Sequence, residues 1–164
     1  MNRVLLGARG TLQDLEAILR QIREWGQARG AEVLAADAQA VFGQDHLESA
    51  VRHAERARAE HTSSTHSIAM ETLLYLSGQR QVADAIRVAG LRQGTGIIAL
   101  VVWPGDESPD LLAALGWARD DAVLESAGKS LDRLGVTEVE KGTVPETTVQ
   151  DLALERVALL DVAR

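Results

Sequence analysis

The sequence predicts an α/β fold of the α+β kind, with a small central mixed sheet flanked by helices, a helical hairpin in mid-chain and a helix at the C-terminal end. Three stretches predict it. Residues 97–103, IIALVVW, are a continuous aliphatic run that suits a strand buried on both faces. Residues 68–89 hold two helical segments parted by Gly78, and the first is apolar on almost every side. Residues 12–25 place Leu12, Leu15, Ile18, Leu19, Ile22 and Trp25 at helical intervals, with Asp14, Glu16, Arg20, Arg23 and Glu24 opposite them. With 164 residues and 46% hydrophobic content, the chain is long enough for one core and too short to suggest two, so a single domain over 1–164 is expected.

Taken in order, Arg3 to Leu6 reads as a short strand, and Gly7-Ala8-Arg9-Gly10 as the turn into a helix opened by Thr11, with Asp14 three residues on. A glycine-rich turn before a helix also suits a phosphate cradle. This one lacks the P-loop lysine and the third dinucleotide-type glycine, which favours the plain turn. Glu32 to Phe42, EVLAADAQAVF, is one strand or a strand-turn-strand, its alanines leaving both open. Asp45 starts a helix to about Ala59, with Leu47, Ala50, Val51, Ala54 and Ala57 on one side and Arg52, Glu55, Arg56 and Glu60 on the other.

In the central hairpin, Ser67 precedes an apolar helix over Ile68 to Leu76 that only Glu71 and Thr72 interrupt. Ser64, Ser67, Glu71 and Tyr75 fall in one line at helical spacing. A carboxylate on a buried helix must be paired or must accept several hydrogen bonds, so Glu71 is expected to clamp a loop through its backbone N–H groups. Gly78 suits a left-handed cap, Gln79 to Gln81 turn the chain, and a second helix ends at Gly90. Arg80 is lifted out at the turn.

Gly94-Thr95-Gly96 loosens the backbone before the central strand, and Pro104-Gly105 ends it. Ser108-Pro109-Asp110 then opens a helix carrying Leu111, Leu112, Leu115 and Trp117, which Gly116 bends. A short helix near Ser126 to Leu134 stops at Gly135, and Val136 to Glu140 alternates like a half-exposed strand. The last helix runs from about Pro145 to Ala163, and its Val149, Leu152, Leu154, Val157, Leu159, Leu160 and Val162 cover more than one stripe. Either the helix simply docks on the sheet, or its apolar surplus, centred on Leu152, Val157 and Leu159, meets a partner.

Composition removes several kinds of function. Without cysteine, disulfides, thiolate zinc sites and cysteine nucleophiles drop out. No two of the four histidines stand at i and i+4, so no metal is expected. No stretch reaches the roughly eighteen apolar residues of a membrane span, and the N-terminus lacks the apolar region of a signal peptide, so a cytoplasmic protein without a membrane contact is expected. There is no G-x-S-x-G motif. A hydrolase or transferase site assembled by folding would draw on His66, Ser67 and Glu71.

Aromatic residues at 3% leave no broad base-stacking platform, and a net charge of −7 argues against a large non-specific nucleic-acid surface. The charge is uneven. Between Val51 and Arg92, the arginines 52, 56, 58, 80, 87 and 92 face Glu55, Glu60, Glu71 and Asp84, a balance of +2 against −9 elsewhere, with His53, His61 and His66 in the same segment. A small basic island on an acidic body suits a short local contact with an anion, or else ordinary solvated arginines.

The run S-I-A-M-E-T-L-L-Y-L-S-G-Q-R-Q-V-A-D-A-I-R-V-A-G, residues 67–90, resembles the signature of the smallest kinase-binding subunit of the KEOPS complex. The match lies in the spacing from Ser67 and Glu71 through Leu76-Ser77 to Ala85 and Gly90, and it extends over roughly residues 63–103. Ser63 stands where the family carries Asn, and Ala89 where it carries Phe.

KEOPS makes N6-threonylcarbamoyladenosine beside the anticodon of tRNAs. The resemblance implies a non-catalytic subunit without a cofactor, which binds the kinase-like ATPase subunit and the 3′ CCA end of tRNA. It places that end beside Ser63, Ser64, His66 and Ser67 and beside Gly78, Gln79, Arg80 and Gln81. Arg80 would meet a phosphate, while Ser67 or the Gly78 backbone would read base edges or hold the pocket. A single-stranded end can be read in a pocket by few contacts. A module of another kind, self-associating through the C-terminal helix as a homodimer and without an RNA role, fits the same residues.

Overall fold

The computed structural model describes residues 2–94, 96–105, 109–143 and 150–163. Strand β1 (Val4–Arg9) leads to helix α1 (Leu15–Arg29), strand β2 (Glu32–Asp37), a 3-10 turn (Ala38–Ala40) and helix α2 (Gln44–Ala59). The hairpin helices α3 (Ile68–Ser77) and α4 (Val82–Ala89) follow, then strand β3 (Ile97–Trp103), helix α5 (Pro109–Leu115) and the short strand β4 (Ala118–Arg119). Two more 3-10 turns (Asp121–Leu124 and Leu131–Leu134) precede helix α6 (Glu138–Lys141) and helix α7 (Asp151–Ala163).

The strands form one sheet in the order β2-β3-β1-β4. The α+β class, the central hairpin and the C-terminal helix agree with the sequence reading. The sheet itself is antiparallel rather than mixed, because β3 enters between β1 and β2 and runs against both, with Val102 opposite Val4 on one side and Val33 on the other. Its alternate residues feed two cores. Ile98 and Leu100 pack with Leu6, Ala8, Leu12, Ile22 of α1 and Leu111 of α5. Ala99, Val101 and Trp103 face the other way, into a larger core built from α2, α3, α4 and α7. A strand covered on both faces has no polar side to show, which is what IIALVVW spells.

Helix α3 lies deepest in that larger core, against α2, α4, α7 and β2. Of its ten residues only Met70 is not buried, so no stripe of it is free to be polar.

Several boundaries move for local reasons. Gly7-Ala8-Arg9 belongs to β1 rather than to a turn. A β-carbon on Gly7 would stand 2.6 Å from the Asp120 carbonyl oxygen, and one on Gly10 2.1 Å from the Trp117 ring, so these glycines serve close packing and not a phosphate. Asp14 caps α1 in place of Thr11, its carboxylate accepting the Ala17 N–H at 3.1 Å. Gly116, at φ 73°, follows the end of α5 instead of bending it. Thr137 and Glu140 form a reciprocal capping box, which makes α6 of a stretch that alternates like a strand. The helix expected near Ser126 to Leu134 shortens to the 3-10 turn at Leu131–Leu134, closed by left-handed Gly135. Thr95, Ser108 and Pro145 to Val149, read in the sequence as part of a loosened loop, a cap and the start of the last helix, lie outside the described residues.

Candidate functional site

The residues that the sequence singles out in the hairpin sit at the two ends of α3, and ten helical residues hold those ends about 15 Å apart. Ser67 caps the first end. Its hydroxyl accepts the Met70 N–H at 3.1 Å and donates to Glu32 Oε2 at 2.5 Å, while the same Glu32 oxygen takes the Ala69 N–H at 2.6 Å. The start of α3 is thereby tied to the first residue of β2.

Ahead of Ser67 the chain folds over Glu71, which is 1% exposed. The Glu71 carboxylate takes the Ser64 N–H at 3.1 and 3.2 Å on its two oxygens, the Thr65 N–H at 3.1 Å and the Thr65 hydroxyl at 3.0 Å. A buried carboxylate without donors would cost several kcal/mol, so these bonds hold the loop and the charge together. Outside the loop is a dimple of about 10 Å³, lined by Arg58, Ser63, Thr65, His66, Ser67, Ile68 and Glu71. That is room for about one water. Ser64 and His66 are exposed and Ser63 is half-buried. Arg58 is the addition that sequence reading did not place here; its signal is its position in the last turn of α2, just before this loop.

Gly78 caps the second end at φ 70°, with the Gln79 N–H on the Leu74 carbonyl at 3.1 Å. A β-carbon there would stand 3.3 Å from Arg156 Cβ, so α7 passes close to this cap. Gln79 is half-buried, and Arg80 and Gln81 are exposed. Gln81, the N-cap of α4, makes no side-chain capping bond, which leaves that helix end without the usual acceptor right beside Arg80. Asp84, in the first turn of α4, lies 3.5 Å from Arg87. The two groups of hairpin residues thus form two surfaces rather than one pocket.

Folding also trims the basic island. Arg52 pairs with Glu48 at 3.2 Å and Arg56 with Asp161 at 2.6 Å, both carboxylates coming from outside the segment. Arg58 and Arg80 remain exposed at opposite ends of α3.

Helix α7 lays Leu152, Ala153, Val157 and Leu160 into the core. Leu152 and Val157 are 5% and 0% exposed, so of the three residues expected to meet a partner only Leu159, at 45%, stands clear of the fold. Val162, at 83%, joins it. The surplus apolar stripe is narrower than the sequence suggests because α2, α3 and the Leu131–Leu134 turn all pack on this helix.

Near the end of α7, Asp161 accepts hydrogen bonds from the Tyr75 hydroxyl, from His53 Nδ1 and from Arg56 Nη2. Burial alone would raise this carboxyl, but the three donors outweigh it and hold Asp161 below the ordinary range. A cleft of about 390 Å³ opens beside it, lined by Arg56, Ala57, Glu60, Thr62, Tyr75 and Asp161.

Of the residues of the hydrolase alternative, Ser67 donates its hydroxyl proton to Glu32 and Glu71 holds the Ser64–Thr65 loop, while His66 is exposed. His46 is wholly buried, accepting the Phe42 N–H on Nδ1 at 3.0 Å and donating from Nε2 to the Leu76 carbonyl at 3.1 Å. Burial pushes its pKa down to about 4, so it is a neutral core residue. Among the described residues no three His, Cys, Asp or Glu are grouped to hold a metal, and no helix is long and apolar enough to cross a membrane.

A family model described as kinase binding protein CGI-121 matches residues 12–158, from just ahead of α1 into α7. No curated protein matches the chain.

Proposed function

The chain belongs to the CGI-121 family of kinase binding proteins, and from that premise we propose that it is a non-catalytic accessory subunit of KEOPS that holds the kinase-like ATPase subunit and the 3′ CCA end of tRNA. The tRNA part rests on one observation, the exposed Arg80 beside the uncapped first turn of α4. A helix N-terminus carries partial positive charge and free N–H groups, and a guanidinium next to it completes a local phosphate contact. Such a contact needs no long basic groove, which suits a chain of net charge −7. The left-handed cap at Gly78, with Gln79 and Gln81, shapes the turn that carries Arg80. At the other end of α3, the exposed Arg58 guanidinium, with His66 on the same dimple, makes a second cation-bearing surface. Binding to tRNA with and without its CCA end tests the reading. A loss of most of the affinity on removing CCA is expected, and equal affinity would overturn it.

The kinase part is supported by the outward Leu159 and Val162 of α7, an apolar pair on a helix whose other side is already packed. The same pair would join two copies in the self-associating alternative. A solution mass of one chain at assay concentration, with the kinase-like subunit co-purifying, favours the heteromeric reading, and a stable dimer that excludes the kinase reverses it.

A further inference from the structure

Resting on the reading that α7 docks the kinase, we infer that Asp161 is a positioning residue, which sets the rotation of the last turn of α7 and so the direction in which Leu159 and Val162 face. Along most of α7 packing does this work through Leu152, Ala153, Val157 and Leu160. On the Asp161 edge a cleft of about 390 Å³ opens beside the end of α2. At its rim the Asp161 carboxylate ties α7 to α2 and α3 by hydrogen bonds, with Arg56 Nη2 at 2.6 Å, His53 Nδ1 and the Tyr75 hydroxyl on it.

Two of those donors stand three residues apart on one face of α2, and the third comes from α3, so the carboxylate is fixed against two helices at once. The donors are fixed in turn. Tyr75 is buried to 1% exposure, and its ring meets that of His53 at 5.4 Å between centroids. Because adjacent helical residues are about 100° apart, Val162 and Leu159 turn rigidly with Asp161, and a small rotation of this turn swings both off the face that they share. Asparagine at 161 removes the charge, and its N–H₂ group either reverses the bond with the Tyr75 hydroxyl or loses those from His53 and Arg56, so the charge-assisted bonds are weakened in either orientation.

The test is calorimetric binding of the kinase-like subunit to folded variants at a temperature where circular dichroism is native for all. Asp161→Asn is expected to weaken binding about tenfold, the scale of a lost hydrogen bond to a charged group. Tyr75→Phe, which removes only the hydroxyl, shifts affinity the same way by a smaller factor and serves if Asp161→Asn fails to fold. Leu12→Ala, in the other core, lowers the melting temperature and leaves the affinity of the folded protein at wild type. A merely structural Asp161 would behave like Leu12→Ala, and that result overturns the inference while Leu159→Glu still abolishes binding. If Leu159→Glu and Val162→Glu both bind as wild type, the docking reading falls and takes the inference with it.

Discussion

The Ser67 hydroxyl meets the Glu32 carboxylate at 2.5 Å across 35 residues of sequence, and the Ala69 N–H reaches the same oxygen at 2.6 Å. A negative charge is thus seated on the N-terminus of the central helix, where the helix dipole favours it. Ser67→Ala removes both the cap and one donor to that carboxylate. A loss of about 1–2 kcal/mol in urea unfolding is expected. The affinity of the folded variant for the tRNA 3′ end should stay near wild type, because the hydroxyl is already bonded on both sides. A large loss of affinity without a loss of stability would return Ser67 to a base edge.

Glu71→Gln puts an N–H₂ group where the Ser64 and Thr65 backbones present donors of their own. Unmade bonds to buried groups of this kind cost about 2–4 kcal/mol in total. The loss should appear first as faster amide hydrogen exchange at Ser64 and Thr65, ahead of any change in the sheet. Exchange unchanged at those two amides would show that the loop keeps its shape without the carboxylate.

The parts of this fold that are legible in the sequence are those with a local physical signature. An all-round apolar helix closed by Gly78 announces α3, and IIALVVW announces a strand covered on both faces. Two residues of β4 carry no period at all, and over five residues the alternation before Lys141 is compatible with strand or helix until the Thr137–Glu140 box decides. The candidate site is less legible for a different reason. Ser67 and Gly78 look adjacent in a list of letters, yet the helix between them is what separates them. Asp161 stands 86 to 108 residues from Tyr75, Arg56 and His53, so no spacing rule brings it to them. For α7 the period is right and the width of the exposed stripe wrong, since how many neighbours cover a helix is a tertiary fact.

Leu152 and Leu159 separate folding from docking on that helix. Leu152→Glu buries a carboxylate in the core and should cost several kcal/mol, seen as a large drop in urea midpoint. Leu159→Glu sits at the surface and should change stability by no more than about 0.5 kcal/mol. It should nevertheless abolish co-purification of the kinase-like subunit. Retained co-purification would remove Leu159 from the interface.

His46 makes stability depend on pH. Its pKa is about 4 in the fold against 6.5 for an ordinary histidine, so the folded pKa is depressed. Its contribution is therefore complete above pH 6.5 and is lost as the pH falls toward about 4, because the unfolded chain takes up the proton first. Between pH 7.5 and 5 the loss should reach about 2 kcal/mol. Urea unfolding at the two pH values measures it, and in His46→Gln the difference should shrink by that amount. An undiminished difference would assign the effect to other groups.

Arg80 and Arg58 lie at opposite ends of α3, which makes them a matched pair for locating the RNA contact. If the CCA end rests on the first turn of α4, Arg80→Glu removes one phosphate contact and places a carboxylate against the incoming charge. The salt dependence of log affinity should then flatten by about 0.7, the slope for one contact on a single strand. Arg58→Glu, at the other end of the helix, should leave that slope alone and lower affinity only through the general field. The reverse pattern would move the contact to the loop held by Glu71, where His66 stands beside Arg58. Equal and full slopes in both variants would mean that neither end of α3 touches a phosphate, since a lost counterion release is the one signal that an arginine on the backbone cannot hide.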